Sequence, residues 1–242
     1  MKYLAMALAL TSPVFAENPH QFRIGIEGGY YKYQEPKLMK KSGVMGGINA
    51  SYFYSPDQYE IGLEGRLLYG VTKYDGNLMN GTPHKQTGVK NWLFEPRFLT
   101  GIKISLNNLK IKPFLGIGYR FKSDNLYDIR SSEYFYIPMG MAITIPLNNE
   151  WKVSPSLEYD FFLKGIQTSK TLYFKCKNKQ KKGYGLKSEI LFSHKLSQGK
   201  EISFAPYIHY WNIKDSNKIG VFQFHEPKND TVEVGMKVSY LF

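Results

Sequence analysis

Apolar residues recur at every second position over most of this chain. The last twelve residues, TVEVGMKVSYLF, show the pattern most cleanly. Counting back from Phe242, the apolar positions are Tyr240, Val238, Met236, Val234 and Val232, with Leu241, Ser239, Lys237, Gly235 and Glu233 between them. A period of two marks a strand with two unlike faces, and a period of 3.6 is sustained nowhere. The pattern predicts ten strands, at about 21–33, 44–54, 59–73, 91–104, 110–122, 133–145, 151–165, 183–193, 201–213 and 231–242. Short turn-like breaks at 55–58, 105–108, 146–150 and 196–200 alternate strictly with longer polar ones at 34–43, 74–90, 123–132, 166–182 and 214–230.

The two faces differ in kind. In the third strand Ile61, Leu63, Leu67 and Tyr69 share one face, and Glu60, Glu64 and Arg66 share the other. In the fourth, Trp92, Phe94, Phe98 and Ile102 oppose Glu95, Arg97 and Lys103. A soluble sandwich would turn the apolar face inward; a membrane barrel turns it to lipid and holds the charges in its lumen. Loop asymmetry, strand length and aromatic placement favour the barrel. Tyr30, Tyr69, Trp92 and Phe121 stand toward the long-loop ends, and Tyr52, Tyr54, Tyr240 and Phe242 toward the short-turn ends. Amphipathic rings collect in this way where a barrel meets two headgroup layers. The fold class is therefore all-β: a closed antiparallel transmembrane β-barrel of ten strands, with eight or twelve as the alternatives. Pro96, Pro113, Pro138, Pro155 and Pro206 fall inside the strands, and because each removes a ladder donor, bulges are expected at some of them.

The N-terminus reads MKYLAMALALTSPVFAENP. Lys2, a short apolar stretch and small residues before a cut after Ala16 make residues 1–16 a secretory signal peptide, leaving 17–242 as one barrel domain. No apolar run reaches the length of a helical membrane span. Cys176 is the only cysteine, so neither an internal disulfide, a lipoprotein anchor nor a cysteine metal site is expected. The net charge of +12 would suggest nucleic acid in a cytosolic protein, but an exported chain has no cytosolic nucleic-acid role.

The export signal, the amphipathic strands and the ending Tyr240-Leu241-Phe242 together resemble bacterial outer-membrane β-barrel proteins of Gram-negative type. The stretches KPFLGIGYRF and EPKNDTVEVG resemble segments of ten-stranded members that carry no assigned activity. The resemblance implies an outer-membrane location, contact with the lipid bilayer and lipopolysaccharide, and insertion by the barrel-assembly machinery. Tyr240 and Phe242 would serve as the assembly signal. Ten-stranded barrels include the omptin proteases, but their Asp-x-His signature is absent, as is the His-x-Ser of lipid-modifying barrels. No catalytic residue, metal ligand or cofactor site is assigned.

The candidate chemistry is therefore charge. In this register ten lumen cations meet eight carboxylates, which implies a salt-bridged interior. Glu64, Arg66, Glu95 and Arg97 come from the third and fourth strands. Glu158 and Asp160 come from the seventh, beside Lys152 and Lys164, and His209, Glu233 and Lys237 come from the last two. Tyr207, His209 and Trp211 should point inward together, as interior filling or, as the alternative, a ligand-stacking rung. A wide aqueous channel takes about 16 strands. The expected function is thus a non-enzymatic barrel, with a narrow solute channel as the alternative and an outer-membrane hydrolase as the second. The surplus charge lies in the fourth long connection, where Lys170, Lys175, Lys177, Lys179, Lys181 and Lys182 occur with no acidic residue among them. They are the candidate site for anionic surface glycans. Cys176 among these lysines would be a lone thiol, incidental to function or, as the alternative, with a pKa lowered by its neighbours.

Overall fold

In the computed structural model the described residues are 19–77, 81–126, 129–170, 175–218 and 225–242, so the segment expected to be a signal peptide, 1–16, lies outside them, as do Tyr173 and Phe174, the two rings among the lysines of the fourth long connection. The strands are β1 (His20–Glu35), β2 (Met39–Tyr54), β3 (Tyr59–Asn77), β4 (Pro83–Ile102), β5 (Ile104–Leu106), β6 (Leu109–Asp124), β7 (Ile129–Pro146), β8 (Trp151–Lys170), β9 (Lys175–Gln180), β10 (Gly183–Lys195), β11 (Glu201–Ile213) and β12 (Asn229–Leu241). Strands consecutive in sequence pair antiparallel, except β4 with β5 and β9 with β10, and β1 pairs with β12 from Arg23↔Leu241 to Gln34↔Asp230, which closes the sheet. Two staves are interrupted. β4 and β5 break at Lys103 and both pair with β6, while β9 and β10 both pair with β8 across Lys181 and Lys182. The result is a barrel of ten staves.

The alternation in the sequence sets the two surfaces. Val234, Met236 and Val238 of β12 face outward, as do Ile61, Leu63 and Leu67 of β3 and Phe94 and Phe98 of β4. An apolar belt of this size is stable in lipid and would aggregate in water. Tyr69 and Trp92 pack at 4.7 Å between ring centroids at one end of the belt, and Phe22, Tyr240 and Phe242 cluster at the other.

The strands are longer than the alternation predicts. β4 and β8 each have 20 residues. At about 3.3 Å per residue such a strand spans about 66 Å, roughly twice what a tilted membrane crossing of 9–11 residues needs. Four of the five long polar connections are mostly strand, and the break between β1 and β2 is only residues 36–38. The physical reason is that the outer face leaves lipid while the ladder continues. Gln34 pairs with Lys40 and Lys32 with Ser42, outward and wet. Inside this extension the residues turn apolar: Tyr31, Tyr33, Met39, Met45, Leu68, Tyr74, Val89 and Leu93 form one buried cluster. Beyond the membrane the hydrophobic pattern therefore inverts into that of a soluble barrel.

None of the five prolines produces a bulge. Pro96 stays opposite Gly65, Pro113 opposite Met141, Pro138 opposite Asp160, Pro155 opposite Ile190 and Pro206 opposite Met236. Each keeps register with one neighbour, while the pairing lapses on its other flank. For Pro96 the β4–β6 ladder jumps from Phe94↔Phe121 to Arg97↔Gly118. In an antiparallel ladder a residue directs both its backbone groups to the same neighbour, so a missing N–H disturbs one flank only. The register shifts lie elsewhere, between Thr72 and Tyr74 opposite Gly88 (φ 81°), and between Phe135 and Tyr136. At the second, Phe135 pairs with Lys164 and Tyr136 with Phe162, so Leu163 is the extra residue.

Gly118 sits directly across from Tyr136, and a Cβ there would stand 2.5 Å from the ring's Cε2. Gly118→Ala should therefore displace Tyr136 and destabilise the barrel by roughly 1–3 kcal/mol, as overpacking does. A lower urea midpoint of the heat-modifiable band of refolded protein would show it; an unchanged midpoint would contradict the packing.

Candidate functional site

The interior is built around two guanidinium groups. Arg66 of β3 donates to Glu95 at 2.7 Å, to Glu233 at 2.8 Å and to Glu27 at 2.9 Å. Arg120 of β6 donates to Glu95 at 3.0 Å and also to Glu233. Tyr136 donates its hydroxyl to the other Glu95 oxygen at 2.7 Å. Arg97 forms a second cluster, bound to Glu158 at 2.6 Å and to Glu64. Asp160 bonds His209 Nε2 at 2.9 Å, and Arg66 stands 3.5 Å from His209 Nδ1. Lys237 joins neither cluster and donates to Glu189 at 2.7 Å. Removing one member of such a buried pair costs about 3–5 kcal/mol, because the partner charge is left uncompensated.

Above this layer the lumen is filled with rings. Trp211 is fully buried, packed edge-on to Tyr136 at 5.0 Å and against His209 at 5.2 Å. Arg120 lies over its indole at 5.6 Å. The Asp160–His209 pair is thus buried, with the Trp211 indole packed against its imidazole. Among the described residues no group of three or more His, Cys, Asp and Glu side chains is arranged to hold a metal ion.

One lumen assignment is wrong. Lys164 faces outward and is exposed, because the bulge at Leu163 turns two consecutive side chains to the same side. This places it with the lysines of the neighbouring segment. In β9, Cys176, Asn178 and Gln180 point inward and are buried, while Lys177 and Lys179 point outward. They pair with Thr168 and Ile166 of β8, and Lys170 pairs with Lys175. Lys181 and Lys182 follow, exposed, at the break before β10. The candidate lysines therefore lie on a wall of the barrel rather than on a free loop. They begin a few residues beyond the outward rings of Tyr159, Phe161 and Tyr184. Cys176 is also corrected: its thiol is buried, donates to Asn178 Oδ1 at 2.9 Å, and is pushed up in pKa by burial rather than lowered by lysines.

A third charged cluster was missed because its members fall in stretches that read as loops. Arg130 of β7 donates to Glu226 at 2.8 Å and to Glu35 at 3.0 Å, and Tyr33 donates to both. Lys41 and Asp124 pair alongside. Glu226 belongs to the β11–β12 connection, where Ser216 N–H donates to the Glu226 carbonyl at 2.9 Å and Glu226 N–H to Ser216 Oγ at 2.7 Å. The inward alternation of Tyr31, Tyr33, Glu35, Met39 and Lys41 was the available signal.

Burial pushes the Glu226 carboxyl up to about 7; Glu35 adds to this and Arg130 opposes it. A raised acid favours the docked loop while it is protonated. That contribution is complete below the ordinary glutamate range and is lost as pH rises through about 7. Hydrogen exchange at the Ser216 and Glu226 amides, corrected for intrinsic chemistry, should be faster at pH 8 than at pH 5.5. Glu226→Gln should flatten the dependence, and equal protection at both pH values in the parent chain would refute the assignment.

Comparison with solved structures returns barrels. The outer membrane protease OmpT from Escherichia coli shares 8% identity at a TM-score of 0.60, with 96% of this chain and 99% of that one covered. The Ralstonia pickettii toluene transporter TbuX shares 9% at 0.40, covering 92% and 89%. The outer membrane protein OprG from Pseudomonas aeruginosa shares 10% at 0.38, covering 92% and 95%. At such identities the likeness concerns fold alone. No curated protein matches the chain. The family model described as the outer membrane protein beta-barrel domain matches residues 3–171. With its closed sheet, apolar belt and charged lumen, the chain belongs to that family and is an outer-membrane β-barrel protein.

Proposed function

We propose that this barrel is a non-enzymatic surface protein that binds anionic glycans through the lysine wall of β8 and β9. The observation that carries the reading is the register of β9. It sets Lys177 and Lys179 outward beside Lys164 and Lys170, with no carboxylate between residues 164 and 182. Like charges on adjacent strands repel. A wall of them is stable when counter-anions sit against it, and phosphate and carboxylate groups of the outer-leaflet glycans lie at the height just beyond the aromatic girdle. Lipopolysaccharide phosphates are the nearest such groups; a free surface polysaccharide presents the same chemistry.

Two features argue against the alternatives. The burial of the Asp160–His209 pair counts against a hydrolase. The layer of Arg66, Arg120, Glu95 and Glu233 crosses the lumen beneath Trp211, which counts against a solute path.

Changing Lys164, Lys170, Lys177 and Lys179 together to Gln should cut binding to immobilised heparin, used as a model polyanion, by about ten-fold or more at low salt. The parent chain should lose the same binding as ionic strength rises toward 0.5 M. Retention by the variant would sink the proposal. In planar bilayers the refolded barrel should be silent, and reproducible conductance steps would make solute passage the better reading.

A further inference from the structure

The half of the lumen nearest the short turns is hollow. A cavity of about 460 Å³ runs from the exposed turn residues Asn108 and Asn148 up to Arg66, Glu27 and Glu95, which close its inner end. Its size falls within the roughly 300–1,000 Å³ of small-molecule sites. Nine cationic side chains and five carboxylates line it.

With Glu201, which lies behind the lining, six carboxylates meet the nine cations, and the surplus of three is organised in three clusters, in each of which two cations share one carboxylate. Glu60 accepts from Lys112 at 2.5 Å and lies 3.4 Å from Lys103. Glu201 accepts from Lys152 at 2.5 Å and lies 3.9 Å from Arg23. Glu189 accepts from Lys237 at 2.7 Å and lies 3.8 Å from Lys187. Each cluster carries one formal positive charge in excess. An ammonium has three donors and a guanidinium five, so one shared carboxylate leaves donor capacity to spare in each cluster. The break between β4 and β5 contributes to this geometry. Lys103 leaves the ladder there, its N–H donating to the Gln58 carbonyl at 2.6 Å, which sets its side chain at the mouth. Low-dielectric walls around a surplus of one sign focus the potential inside a cleft.

We infer that this periplasm-facing vestibule binds a small, multiply charged anion carrying carboxylate or phosphate groups. The site is separate from the lysine wall, since the Arg66–Glu95 layer stands between them. It is a receptor with a closed inner end rather than a conduit.

The test is titration calorimetry on the refolded full-length barrel in zwitterionic detergent, with citrate as the carboxylate probe and pyrophosphate as the phosphate probe. At least one should bind saturably, and the tighter of the two identifies the group preferred. Lys103→Gln with Lys112→Gln should weaken it about ten-fold or more, as the loss of two nearby charges requires. Glu60→Gln keeps both lysines, raises the local charge and should tighten binding about three-fold. Lys177→Gln with Lys179→Gln on the outer wall should change nothing beyond two-fold, and heat-modifiability reports that each variant is folded. Absence of saturable binding for both probes would overturn the inference, as would an equal loss in the outer-wall variant.

Discussion

Lipid offers a peptide group nothing to bond to, and every other feature of this molecule follows from that. A strand inside the bilayer must find its partners in other strands, so the sheet must close, and it does so through the β1–β12 ladder. Closure explains how five in-strand prolines are tolerated. Each disturbs the pairing on one flank and leaves the other intact, so no stave is severed. It also explains where irregularity is found. The register shifts at Thr72–Tyr74 and at Leu163 lie beyond Tyr69 and Phe161, toward the ends where the strands outrun the apolar belt and water can serve a displaced backbone group.

Closure also creates an inside that must be filled. Ten staves leave a lumen too narrow for free water throughout and too wide for small apolar residues alone. In the middle it is occupied by Arg66 and Arg120, which share Glu95 and Glu233, with Trp211 and Tyr136 packed above them. Burying such charges is unfavourable unless each is paired and hydrogen-bonded. Here two guanidinium groups meet three carboxylates, and a tyrosine hydroxyl takes up a further oxygen. Farther out the lumen gains an apolar cluster, because the outer wall is now wet and the inner one must supply the core, and the charges beside it, Arg130 with Glu35 and Glu226 and Lys41 with Asp124, are paired.

This inversion separates what the sequence makes legible from what it hides. Within the bilayer the outward residues are Val, Ile, Leu and Phe, so alternation reveals the staves and both faces; Phe242 back to Val232 is the clearest case. Beyond it, Lys32, Gln34 and Lys40 alternate with Tyr31, Tyr33, Met39 and Lys41, and the polar content reads as loop although the ladder is unbroken. The cluster of Arg130, Glu35 and Glu226 was lost for that reason, since its three members come from parts of the chain far apart in sequence. Lys164 failed differently. Nothing in SLEYDFFLKGIQ announces that Leu163 is an extra residue, and a slip of one reverses every side chain after it.

The distribution of charge along the axis ties these threads together. A surplus of cations cannot reside in the middle of the barrel, where desolvation is most severe, and there the guanidinium groups of Arg66, Arg97 and Arg120 meet five carboxylates, those of Glu27, Glu64, Glu95, Glu158 and Glu233. The excess that makes the chain +12 is therefore driven to its two ends. On the outer side it is carried on the wall, because the lumen of the extension is already taken up by Tyr31, Met45 and Leu93 and by charges that are paired with one another. On the turn side the wall is still occupied by the lipid-facing belt, so the excess turns inward and leaves a cationic cavity. The two basic surfaces thus point in different directions for one reason: at each end the charge takes the face that the hydrophobic requirement leaves vacant.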